Sequence, residues 1–140
     1  MQNFCEGVIE TIKVKKLRPT VCNICGGKVE YIQNKEIYGR SYGSGFCYWC
    51  SECGAYVGTH KVAPKEALGI LANEEMRQMK MKCHDIFDKM WNTPNQRRNL
   101  YKWLAKELKI HVEDCHFGYF DLSMLNKALK ILQSQSIVKG

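Results

Sequence analysis

Four cysteines fall into two matched knuckles, Cys22-Asn-Ile-Cys25-Gly-Gly and Cys50-Ser-Glu-Cys53-Gly. Each is a C-x2-C followed by glycine, and 24 residues separate them. Two thiolates from one tight turn fill only half a tetrahedron, so two turns must converge on the ion. This is the ligand layout of a four-thiolate zinc ribbon, with Cys22, Cys25, Cys50 and Cys53 holding one structural Zn2+. Gly26 and Gly54 sit where the backbone must turn sharply and aim N–H groups at sulfur. Four buried cysteines, or two disulfides, are the competing reading. The start of the chain shows no basic-then-apolar leader, and eight cysteines without a secreted-domain framework favour reduced thiols. A cytoplasmic setting is therefore the expectation. Cys47 extends the second cluster to C-x2-C-x2-C. The glycine after Cys53 matches the one after Cys25, so Cys47 is read as a packed strand residue.

A second set of residues has the chemistry for a site but not the spacing. His84 and Asp88 are one helical turn apart, which allows a hydrogen bond. With His60 and His116 they form a candidate secondary site, either an oriented general base or a second metal-ligand set. A structural bridge is the plainer reading and the favoured one, because the sequence places no third residue beside the pair. Cys83-His84 and Cys115-His116 are adjacent doublets, and neighbours in a chain rarely point at each other. Neither doublet has chelating spacing. No complete catalytic constellation is present, so the expectation is a binding protein and not an enzyme.

The chain of 140 residues carries 21 basic and 14 acidic side chains, a net charge of +7. Residues 1–40 and 73–109 hold the excess, while the intervening and final segments balance. Such a surface could attract nucleic acid or an acidic protein face, and it argues against a DNA mimic; a merely solubilising surface is an equal reading. Arg98, Lys102, Lys106 and Lys109 share one face of an expected helix and could follow a phosphate backbone. Tyr38, Arg40, Tyr42, Phe46, Tyr48 and Trp49 mix aromatic and basic groups near the ribbon's loop, as base-stacking modules do. Equally, the aromatics could be the ribbon's small core and the stripe a solvated helix face. These two readings stand level. No run of apolar residues is long enough to cross a membrane.

These residues need elements to position them. The fold class is α+β: a four-cysteine ribbon of two or three antiparallel strands packed against about three helices. Residues 1–20 form a basic N-terminal arm, 21–60 the ribbon and 61–140 a helical region packed on it. The arm mixes β-branched residues with lysine, so strand and short helix are both open over residues 1–18. Lys28 to Gln33 alternates as a strand and Asn34-Lys35 reads as a turn. Phe46 to Trp49 and Ala55 to Gly58 supply two further strands. After a connector with Pro64 and Gly69, Asn73 caps a helix whose apolar face is Met76, Met79, Cys83, Ile86, Phe87 and Met90. Thr93-Pro94 is an N-cap and first helical position for another, burying Leu100, Leu104 and Leu108. Residues 110–120 are irregular. A last helix runs from Asp121 to about Gln133 on Leu122, Leu125, Leu129 and Leu132, with Ser134 to Gly140 fraying.

Several phrases in this order resemble a known family: the paired knuckles, Gly58-Thr59-His60, the span from Pro64 to Ala72, and Arg77 to Trp91 with His84, Phe87 and Asp88. Arg98, Tyr101, Trp103-Leu104-Ala105 and Cys115-His116-Phe117-Gly118 complete the set. Together they resemble the zinc-finger-containing domain of phages and bacterial mobile elements, from about residue 21 to 133. That resemblance implies zinc and no particular activity, and the arm lies outside it. The chain is also similar to the small zinc-containing anti-CRISPR proteins of streptococcal phages. This second resemblance implies an inhibitor that binds the recognition lobe of a type II RNA-guided nuclease and blocks target-DNA loading. It assigns no residue to the contact. Nucleic-acid binding by a zinc ribbon is the alternative.

Overall fold

The computed structural model describes residues 15–139, with side chains described through residue 135. The strand or short helix expected over residues 1–18 therefore falls almost wholly outside the described residues. The chain divides into two compact units, Met1–Leu68 and Gly69–Gly140.

The first unit is built on an antiparallel sheet of three strands: β1 (Val29–Gln33), β2 (Phe46–Cys50) and β3 (Tyr56–Gly58), in the order β1-β2-β3. The register sets Val29 opposite Cys50, Tyr31 opposite Tyr48, and Tyr48 opposite Val57. Side chains alternate across a strand, so Tyr31, Phe46 and Tyr48 share one face. There the Tyr31 and Phe46 rings stack at 5.1 Å. The hydroxyls of Tyr31 and Tyr48 donate to the carbonyls of Pro64 and Lys65, which lays the 61–68 segment along this sheet. Cys47 points to the other face and is 1% exposed, as its reading as a packed strand residue required.

Between β1 and β2 the expected turn at Asn34-Lys35 is a one-turn helix instead, α1 (Lys35–Tyr38). The cause lies eight residues on. The buried Asn34 amide donates to the Tyr42 carbonyl and accepts from the Tyr42 N–H, closing the loop around itself. Its own carbonyl is then left to accept the N–H groups of Ile37 and Tyr38.

A second tie is invisible to local pattern. Glu66, 6% exposed, accepts the Leu17 N–H at 2.8 Å and pairs with the Arg18 guanidinium at 2.6 Å. A buried carboxylate needs such partners to offset its lost hydration. The Arg18 hydrogen bond holds the Glu66 carboxyl below its ordinary range.

The second unit is helical: α2 (Glu74–Asp88), α3 (Pro94–Leu108) and α4 (Leu122–Lys139), with single 3-10 turns at Val112–Asp114 and Phe117–Tyr119. Asn73 caps α2 by accepting the Met76 N–H. Thr93 and Gln96 form a reciprocal capping box on α3, with Pro94 opening the helix. The core gathers Met76, Cys83 and Phe87 of α2, Leu104 and Ala105 of α3, and Leu125, Ala128 and Leu132 of α4, closed by Cys115, Phe117 and Phe120. The apolar stripe of α4 differs slightly from expectation: Ala128 is buried, while Leu122 and Leu129 are only partly so. Helix α4 also continues to Lys139 instead of fraying from Ser134. Gly69 lies against the backbone of Gly118, where a Cβ would sit 2.0 Å from the Gly118 carbonyl oxygen. Among the described residues no helix is long and apolar enough to cross a membrane.

Candidate metal centre

The two knuckles have the same hydrogen-bond plan. In the first, the Cys22 N–H donates to Gly27 O (2.8 Å) and the Gly26 N–H to Cys22 O (3.0 Å). In the second, the Cys50 N–H donates to Ala55 O (2.9 Å) and the Gly54 N–H to Cys50 O (2.8 Å). Gly26 and Gly54 take φ values of 79° and 82°, the left-handed conformation that glycine adopts without steric cost. In the first knuckle the residue after that glycine turns its amide to sulfur, Gly27 N–H donating to Cys25 Sγ at 3.3 Å, and within the turn itself Ile24 N–H donates to Cys22 Sγ at 3.4 Å.

Strand pairing of β1 with β2 brings the knuckles together. The four sulfurs of Cys22, Cys25, Cys50 and Cys53 all lie within 4.8 Å of one another. Cys22 Sγ is 3.6 Å from Cys53 Sγ, and Cys25 Sγ is 3.5 Å from Cys50 Sγ. Zn–S bonds of about 2.3 Å require sulfurs about 3.8 Å apart at the corners of a tetrahedron. The donor set and its spacing therefore fit one structural zinc ion. The thiols alone are mutually frustrated. Gly27 N–H draws Cys25 down, but the thiols of Cys50, Cys53 and Cys22, with burial, push it up to about 12. Cys50 goes the other way, drawn down to about 7 by the backbone N–H groups of Cys53 and Glu52 against the pull of burial. Four thiolates at this distance repel one another, and a dication removes that conflict. Zinc ligation of this kind contributes folding free energy outright, about 10–16 kcal/mol for isolated finger peptides at neutral pH.

The candidate secondary site is spread over both units: His60 belongs to the first, and His84, Asp88 and His116 to the second. The hydrogen bond that the His84–Asp88 spacing allowed is not made. Asp88 instead accepts the Trp91 indole N–H at 3.2 Å, three residues on. The His84 ring sits edge-on to Phe117 at 4.7 Å, and burial lowers its basicity. His116 packs between Tyr101 (5.8 Å) and Tyr119 (5.0 Å). Among the described residues, the four cysteines are the only group of three or more His, Cys, Asp or Glu side chains arranged to hold a metal. Cys83 and Cys115 are buried, and burial pushes both thiols up to about 11, as in an unreactive core.

The candidate binding residues are all at the surface. Arg98, Lys102, Lys106 and Lys109 are exposed along α3 and its C-terminal cap. The sequence reading missed Lys127 and Lys130, exposed on α4, which line one cleft with Lys109. On the ribbon, Arg40 Nε donates to the Tyr42 hydroxyl at 2.7 Å. Tyr38 meets both Tyr42 (5.2 Å) and Tyr56 (5.8 Å) edge to face.

The family described as a zinc-finger-containing domain matches residues 18–135. No curated protein and no solved structure matches the chain.

Proposed function

The chain belongs to the zinc-finger-containing domain family, and from that premise we propose that it works by binding, not by chemistry. The zinc holds the ribbon rigid, and the second unit presents a cationic face to an acidic surface of a partner protein. In this reading the partner is a type II RNA-guided nuclease in the cytoplasm of a bacterial host. The bound protein blocks target-DNA loading and so serves a phage as an anti-defence inhibitor. The resemblance of the sequence to small zinc-containing anti-CRISPR proteins motivates the choice of partner. One observation supports the mode of action. Arg98, Lys102, Lys106, Lys109, Lys127 and Lys130 are all exposed, and among the described residues none of them is in an ion pair. Cations that are not ion-paired within the protein keep more of their field for a partner, which speeds encounter and selects an acidic face.

The experiment is a pull-down of a purified type II nuclease, paired with a DNA-cleavage assay. Capture with loss of cleavage, weakened by Lys102→Ala/Lys106→Ala, is the expected outcome. No capture and undiminished cleavage would remove the nuclease from consideration.

A second reading, nucleic-acid binding, is favoured by the Tyr38–Tyr42–Tyr56 ring cluster with the Arg40 guanidinium over the Tyr42 ring. Tyr38 and Tyr42 are exposed and Tyr56 is half-buried, and exposed aromatics beside a guanidinium are what stack bases in single-strand binders. Its signature is affinity for DNA or RNA that falls steeply with salt. Absent or salt-independent binding rejects it.

A further inference from the structure

The second unit has a cleft of about 410 Å3 where the end of α3 meets α4, lined by Glu107, Leu108, Lys109, Lys127, Lys130 and Ile131. We infer that this cleft docks an acidic peptide segment of a partner protein, with an aliphatic side chain of that segment seated between Leu108 and Ile131. The inference rests on the protein-binding reading above and names the chemistry of the segment bound.

The lining divides into a floor and a rim. Leu108 and Ile131 are partly buried and pack against the helical core, so the floor is aliphatic and held in place. Lys109, Lys127 and Lys130 stand exposed around it, against the single carboxylate of Glu107. The C-terminus of a helix carries only about half a negative charge. Three ammonium groups outweigh that and Glu107 together, so the rim favours an anion. A volume near the lower end of the range for ligand pockets suits one or two side chains.

The floor also discriminates between partners. Nucleobases bind by stacking on aromatic or guanidinium planes, and the lining has neither. An aliphatic anchor from a peptide fills it without that requirement. Lys109 belongs to both the cleft and the α3 stripe. From it, Lys106, Lys102 and Arg98 follow along the helix at intervals of about 4.5–6 Å. The cation track leading away from the cleft fits an extended acidic chain better than a small molecule.

The test uses fluorescence anisotropy with the full-length zinc-loaded protein. The probe is a short labelled peptide of Asp and Glu around a central Leu-Leu pair. Its Ala-Ala counterpart and unlabelled oligo-dT serve as competitors. The Leu-Leu peptide should bind at least about tenfold tighter than the Ala-Ala one. Lys127→Ala/Lys130→Ala should lose about tenfold with its melting temperature unchanged, since both side chains are exposed. No peptide binding, equal binding of the two peptides, or tighter binding of oligo-dT would each overturn the inference. The same double variant goes into the nuclease pull-down. Capture kept by Lys127→Ala/Lys130→Ala but lost by Arg98→Ala/Lys102→Ala overturns the cleft and leaves the inhibitor reading intact. Tight peptide binding with no nuclease captured supports the cleft and rejects the nuclease as partner.

Discussion

Gly27 is the residue whose substitution tests the zinc centre most finely. It carries no unusual backbone angle, its N–H donates to Cys25 Sγ, and its carbonyl accepts the Cys22 N–H. A Cβ added there would lie 2.8 Å from Glu52 Oε2 and 3.1 Å from Cys50 Sγ. The Glu52 carboxylate is exposed and can swing away. The sulfur cannot, because the metal fixes it. Overpacking a constrained site costs about 1–3 kcal/mol. Replacing glycine by alanine at an ordinary φ recovers about 0.4–1 kcal/mol from the unfolded chain. The clash wins, leaving Gly27→Ala about 1–2 kcal/mol less stable. That corresponds to about a tenfold loss of zinc affinity, or a melting temperature lower by several degrees. Competition with a chromogenic chelator reads the affinity, and calorimetry reads the melt. Glu52→Ala added to Gly27→Ala should restore only part of the loss, because the sulfur contact remains. Wild-type zinc affinity in Gly27→Ala, or full rescue by Glu52→Ala, would refute the reasoning.

Other substitutions probe the rest of the fold. Gly69→Ala drives a Cβ into the Gly118 carbonyl, backbone against backbone, and should cost about 3 kcal/mol or more in urea unfolding. Lys109, at φ 61°, occupies a left-handed helix cap. Lys109→Gly relieves about 1–2 kcal/mol of strain and forgoes about 0.3–1 kcal/mol of dipole attraction, so the urea midpoint should rise slightly. Glu66 has its folded carboxyl held down by Arg18. Its contribution is therefore present above the ordinary carboxylate range and is lost as pH falls through the lower folded value. The stability advantage of the wild type over Glu66→Gln, measured with zinc in excess, should be full at neutral pH and vanish in that acid window.

How far the sequence could be read depended on the range of the interaction. The knuckles are local chemistry: a C-x2-C and a glycine encode their own turn, so their pairing needed only the ribbon to close. Asn73 and Thr93-Pro94 were legible for the same reason, since a cap bonds within three residues. Helix α1 was not, because Asn34 is committed to Tyr42, eight residues away. The Arg18–Glu66 pair spans 48 residues and leaves no periodic trace. Asp88 illustrates a different limit. Helical spacing offered it His84, while the indole of Trp91, beyond the helix end, took it. The stripe on α3 shows as a spacing of four, four and three residues, but its meeting with Lys127 and Lys130 depends on how α3 and α4 pack. The partner has no signature in the spacing of residues at all, because an interface is defined by the surface it meets.

Elemental analysis by native mass spectrometry, on wild type and Cys50→Ser, decides the central point. The wild type should carry one zinc per chain, held by Cys22, Cys25, Cys50 and Cys53, and Cys50→Ser should lose both the ion and the cooperative melt of the ribbon. A Cys50→Ser protein that keeps one zinc and melts like the wild type, or a folded wild type without metal, would contradict it.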